Sequence, residues 1–163
     1  MKELYLIRHA KSSWKDSSLD DFDRPLNKRG DKDALLMGTM LHNNKTTPDA
    51  IISSPALRAK TTAKIIADAI HFHKPVHYDK TLYEADLDTL LQTIKALDDK
   101  DDTVFLIAHN PGLNMLAEDL VDLRENLPTC GIVRIQFSCS RWTKIDAGDA
   151  ALISFDYPKK YHA

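Results

Sequence analysis

The sequence predicts an α/β domain in which a mostly parallel sheet is covered by helices on both faces and carries an antiparallel strand at one edge. Three observations point there. Short apolar runs alternate with segments of helical spacing over the first two thirds of the chain. Two of those runs, Leu4-Tyr5-Leu6-Ile7 and Val104-Phe105-Leu106-Ile107, are apolar at consecutive positions, as strands buried on both faces are. The last two strand-like runs have little between them except a polar loop near 139–149, too short for a helical crossover.

Taken in order, strands are expected at 3–8, 50–53, 103–108, 131–137 and 150–155, from apolar and β-branched runs. Helices are expected where apolar residues recur on one face. Ala34, Met37 and Leu41 do so in 31–43, and Ala59, Ala63, Ile66 and Ile70 in 55–70. Leu87, Leu90, Leu91, Ile94 and Leu97 form a stripe in 87–98, and Leu113, Leu116, Ala117, Leu120 and Val121 another in 113–123. Ser53-Ser54-Pro55 reads as an N-cap followed by proline in the first turn.

The 163 residues fit one domain, 1–163, with no repeat, low-complexity tract or linker. A content of 43% hydrophobic and 28% charged residues excludes a disordered chain and a membrane-embedded one. The net charge of -2 gives no general attraction to nucleic acid or anionic lipid, so an anion site must be local. No apolar stretch at the start is long enough for a signal peptide or membrane span, so a cytoplasmic location is expected. Cys130 and Cys139 form no CxxC motif and read as reduced thiols. A monomer is expected, because no apolar stripe is left over once the core is filled.

The chemistry is suggested by what ends the strands. Arg8-His9-Ala10 follows the first strand, and His109-Asn110-Pro111-Gly112 follows the third. Two imidazoles would meet at one sheet edge, in the crevice where open α/β sheets bind ligands. Arg58 lies near the start of a helix, where free N–H groups and the dipole favour anions, and its planar fork suits phosphate oxygens. Each residue also has a plain structural reading: a core histidine for His9, a helix-capping one for His109, a surface charge for Arg58. Together they describe a neutral imidazole that attacks phosphorus while arginines and a second imidazole bind the phosphoryl oxygens. His71, His73 and His77 match no metal-ligand spacing, and Asp20, Asp21 and Asp23 read as a solvated loop rather than a magnesium site. Lys159 and Lys160 read as a solvated terminus. There is no Walker loop and no GxGxxG.

In combination, Arg8-His9-Ala10, Arg24-Pro25-Leu26 with Gly30, Ser53-Ser54-Pro55 with Arg58-Ala59 and Thr61-Thr62, and His109-Asn110-Pro111 resemble the histidine phosphatase superfamily, and within it the SixA-type phosphohistidine phosphatases. The resemblance covers most of the chain. It implies a phosphoglycerate-mutase-like three-layer sandwich, His9 as the nucleophile that becomes phosphorylated, and Arg8, Arg58 and His109 around the phosphate, with Arg24 as a further pocket member. It implies neither metal nor cofactor. The chain departs from the broad family pattern in having Ala10-Lys11-Ser12 after Arg8-His9, where many members have glycine and glutamate, and in lacking long insertions that enclose small substrates. Glu84 falls where many relatives carry the general acid, with Asp86 as a competitor; both also read as surface carboxylates.

The expected activity is therefore a metal-independent phosphatase acting on protein phosphohistidine. An unassisted phosphoimidazole leaves more readily than an alkoxide, and an open site admits a protein surface. The alternatives are a general small-molecule phosphomonoesterase with Glu84 as acid, and a non-catalytic phospho-binding module. A mutase is disfavoured, because so short a chain has little to retain a sugar acid between transfers.

Overall fold

The computed structural model describes residues 1–162. Its elements are β1 (Lys2–Arg8), α1 (Lys28–Asn43), β2 (Ala50–Ser53), α2 (Leu57–Ala69), β3 (His77–Tyr78), α3 (Leu87–Lys95), β4 (Thr103–Ala108), α4 (Gly112–Val121), β5 (Ile132–Phe137) and β6 (Ala150–Asp156). The six strands form one sheet in the order β3-β2-β4-β1-β5-β6. The four strands from β3 to β1 pair in parallel, whereas β5 pairs antiparallel with both β1 and β6. The mostly parallel sheet with antiparallel pairing at one edge is as expected; the two-residue β3 gave no sequence signal.

Alternation along β1 shows why the sheet is covered on both sides. Leu4 and Leu6 join Val104, Leu106 and the apolar stripes of α3 and α4 in one core. Tyr5 and Ile7 join Phe105, Ile107 and those of α1 and α2 in the other. The central stretch of a strand covered by two helix layers is apolar at consecutive positions, and Leu4, Leu6 and Ile7 are fully buried.

The same layering places the crevice. The chain leaving β1 runs to α1 on one face, and the chain leaving adjacent β4 runs to α4 on the other. A cleft opens where neighbouring connections part in this way. Register then brings the histidines together: Arg8 pairs with Ala108, so His9 and His109 are the next residues on two adjacent parallel strands.

Helix α3 ends at Lys95 rather than 98, most other ends shift by a residue or two, and two helix starts differ for a physical reason. Helix α1 starts at Lys28, because Asn27 caps it by accepting from the Gly30 N–H at 2.8 Å. Helix α2 starts at Leu57 rather than Pro55, and neither serine caps it. Instead Ser54 Oγ accepts from the Ala56 N–H and meets His109. Both cysteines are free, with Cys130 buried. No helix among the described residues is long and apolar enough to cross a membrane.

Candidate active site

The carboxyl ends of β1, β2 and β4 open on a cavity of about 340 Å³ lined by Arg8, His9, Arg24, Arg58 and His109, with Lys11 at its exposed rim. His9, Arg24, Arg58 and His109 are all less than a tenth exposed. The imidazoles lie with ring centroids 5.1 Å apart. All five pocket residues singled out in the sequence other than Glu84 thus face a common hollow.

His9 is fixed by its own neighbour. Its Nδ1 is 2.8 Å from the Ala10 carbonyl, which can only accept, so Nδ1 carries the hydrogen and Nε2 keeps its lone pair. Burial, reinforced by Arg58, Arg8 and Arg24, lowers the His9 pKa to about 4 against the opposing pull of that carbonyl. The His109 pKa falls to about 3, from burial first and then from His9 and Arg58. Both rings are therefore neutral at pH 7. His109 Nε2 lies 2.7 Å from Ser54 Oγ, which gives the Ser53-Ser54 dipeptide its place in the site.

The arginines are held by loops. Arg8 Nη1 donates to the Leu127 carbonyl at 3.1 Å, and Asn110 Nδ2 donates to the same oxygen at 3.0 Å. The segments after β1 and β4 are thereby tied to one loop. Burial, with Arg58 nearby, lowers the pKa of Arg8. Arg24 Nη1 donates to Ser12 Oγ at 2.8 Å, and its guanidinium lies 3.5 Å from the ring centre of Trp14, which is 77% exposed.

Asp21 is the residue the sequence reading missed. It sits on a short 3-10 turn, not in a free solvated loop. Its Oδ2 accepts from Arg58 Nη2 at 3.0 Å and from the Tyr83 hydroxyl at 2.6 Å, and its Oδ1 accepts from Arg24 Nε at 3.1 Å. Its main-chain carbonyl accepts from Arg58 Nη1 at 2.7 Å. The Tyr83 hydroxyl, followed by Arg58 and Arg24, holds the Asp21 carboxyl down to about 2. Partial burial and Asp21 push the Tyr83 phenol up to about 12. No local pattern announces this role, because every partner but Arg24 is remote in sequence.

Both terminal nitrogens of Arg58 are occupied by Asp21, while Nε is buried without a partner, as are Arg8 Nε and His109 Nδ1. Unsatisfied buried polar groups are costly, so their concentration around one hollow marks a site built for a ligand rather than for stability.

Glu84 and Asp86 lie elsewhere. They border an adjoining cavity of about 350 Å³ together with Asp21, Tyr83 and Met115, and this cavity shares Arg58 and His109 with the first. Asp86 caps α3, accepting from the Thr89 N–H at 2.9 Å. Glu84 is exposed, has no hydrogen bond or ion pair among the described residues, and adopts φ 60°, a left-handed conformation that costs a non-glycine residue roughly 1 kcal/mol. The loop bearing it is pinned by Gly112: a Cβ there would collide with the Ala85 carbonyl.

No three metal-binding side chains cluster as an ion site requires among the described residues. The arrangement of two neutral imidazoles within a ring of cations suits an oxyanion whose central atom is open to attack.

The model of the histidine phosphatase superfamily (branch 1) matches residues 4–101. The chain belongs to the histidine phosphatase superfamily and is a hydrolase of that type. An uncharacterised protein of Mycobacterium tuberculosis (strain CDC 1551 / Oshkosh) is 33% identical over 165 residues, covering 94% of this chain and 100% of the relative. Among solved structures, protein histidine phosphatase SixA complexed with tungstate superposes with TM-score 0.84 at 20% identity, covering 98% of this chain and 99% of that one. SixA of Agrobacterium tumefaciens, described as a candidate phosphohistidine phosphatase, gives 0.83 at 27% identity, covering 96% and 98%. The phosphoglycerate-mutase-like three-layer architecture expected from the resemblance is the one observed.

Proposed function

We propose that this chain hydrolyses protein phosphohistidine through a phosphoenzyme formed on His9. The observation that carries the reading is the state of His9: neutral, with Nδ1 spent on the Ala10 carbonyl and Nε2 left as a nucleophile inside a cationic pocket. The SixA relative that binds tungstate, a tetrahedral oxyanion like phosphate, supports the same use of the pocket.

In the first step the Nε2 lone pair attacks phosphorus, the bond to the substrate nitrogen breaks, and that nitrogen keeps the electron pair and takes a proton from solvent water. Arg8, Arg58 and Arg24 offset the charge on the phosphoryl oxygens, and His109 donates a hydrogen bond to one of them. Water then attacks phospho-His9; the phosphorus–nitrogen bond breaks, its electrons return to Nε2, and phosphate departs with the water oxygen. A substrate whose leaving nitrogen protonates readily fits a site in which hydrogen bonds hold the Asp21 and Asp86 carboxyls below their ordinary range.

The test is turnover by purified protein on a phosphohistidine peptide and on an aryl phosphate, with acid-labile label sought on His9. Label on His9 with phosphohistidine preferred is the expected result. Binding of phosphate with neither label nor turnover would establish a non-catalytic phospho-binding module instead. The phosphomonoesterase reading rests on the unpaired Glu84 carboxylate beside the pocket. A large loss in Glu84→Gln on esters, with phosphohistidine spared, would favour it.

A further inference from the structure

The two adjoining cavities have opposite electrical character. The first is lined by four cationic side chains, Arg8, Lys11, Arg24 and Arg58, and by no carboxylate. The second has three carboxylates, Asp21, Glu84 and Asp86, against Arg58 alone, with Met115 and Pro111 supplying apolar wall. The charge of Asp21 is answered by Arg58 and Arg24. That of Asp86 is kept by its hydrogen bonds to Thr89, which hold its pKa low, and Glu84 has no partner among the described residues. Between the chambers stands His109, 9% exposed, lining both and carrying a buried Nδ1 with no partner. Whatever is bonded to a phosphoryl group seated against Arg58 and His109 has the second chamber as its neighbour.

We infer that the second cavity is the leaving-group subsite and takes a cationic group on an apolar stem or ring, so that the protein prefers phosphoryl compounds with a cationic tail and discriminates against phosphoesters of carboxylate-bearing alcohols. The inference rests on the phosphatase reading and deepens it by giving the charge of the second half of the substrate. The arrangement complements a molecule with a negative head and a positive tail. Imidazolium against the Met115 wall meets both the charge and the apolar lining. A carboxylate in the same place meets Glu84 and Asp86, and like charges at close range oppose binding.

Matched alkyl phosphates read this directly. The dissociation constants and kcat/KM of phosphoethanolamine, propyl phosphate and phosphoglycolate differ chiefly in tail charge. The expected order is cationic, neutral, anionic, with the outer pair at least tenfold apart at low salt and closer at high salt. Glu84→Gln and Asp86→Asn should each compress that ratio about three- to tenfold, as expected for one charge removed several Å away in a polar medium. Asparagine caps a helix as well as aspartate, so the second variant keeps α3 intact. Loss of an acid would change turnover but not the dissociation constants, so the ratio of the latter reports charge alone. A wild-type ratio near one, or a ratio unmoved in both variants, overturns the inference while leaving phosphorylation of His9 standing. Absence of label on His9 removes the phosphatase reading, and the inference with it.

Discussion

His9 and Asp21 are both held deprotonated: burial first, then Arg58, Arg8 and Arg24, lowers His9, and the Tyr83 hydroxyl, then Arg58 and Arg24, lowers Asp21. A histidine with its pKa lowered from 6.5 to about 4 is unprotonated, and so nucleophilic, throughout the neutral range. The ring signal of His9 in an NMR titration of the free protein should move with a midpoint near 4. Saturating phosphate, whose charge favours imidazolium, should raise that midpoint. A midpoint near 6.5 without ligand would contradict the environment described. Asp21 ties Arg24, Arg58 and Tyr83 to one carboxylate. Asp21→Asn leaves the pocket one charge more positive and the Arg58 fork less firmly aimed. Phosphate should bind a few-fold more tightly while kcat drops about tenfold, the pattern expected when ground-state attraction rises and orientation is lost. Unchanged kcat would mean that Asp21 does not position Arg58.

At the level of elements, the strands that bear the histidines and the stripes of all four helices were legible because burial on two faces leaves an unbroken apolar run, and burial on one leaves a 3.6-residue period. The meeting of residues 8, 9, 58 and 109 was legible for the same reason: each ends or follows a strand, or lies in the first turn of a helix, at the same sheet edge. Contacts between loops were not. The Asp21 turn and the pairing of Ser54 with His109 depend on long-range geometry with no local pattern, and β3 is too short to have a period. The α4 N-terminus offers a test of how tightly these loops are set. Gly112→Ala would drive a methyl group into the Ala85 carbonyl. Overpacking of this kind costs about 1–3 kcal/mol. The thermal midpoint should therefore fall by about 2–12 °C, given roughly 2–4 °C per kcal/mol in a domain of this size. A midpoint within a degree of wild type would show that the loop yields.

Across the whole molecule, the cleft exists because the chain leaves two neighbouring strands toward opposite helix layers. The residues that line the anion pocket are gathered at that parting, while the antiparallel pairing of β5 and β6 extends the sheet away from it. The two tryptophans fall on either side of this division. Trp142 is fully buried in the core beneath α3 and α4, whereas Trp14 stands exposed over Arg24 at the mouth of the anion pocket. The protein thus carries an optical reporter at its entrance and an internal standard in its interior. Orthovanadate drawn in by Arg24 should change the emission of Trp14 and leave that of Trp142 steady. Trp14→Phe should abolish the response, so stopped-flow fluorescence can follow occupancy of the pocket in unlabelled protein; a signal that survives that substitution would place its source elsewhere.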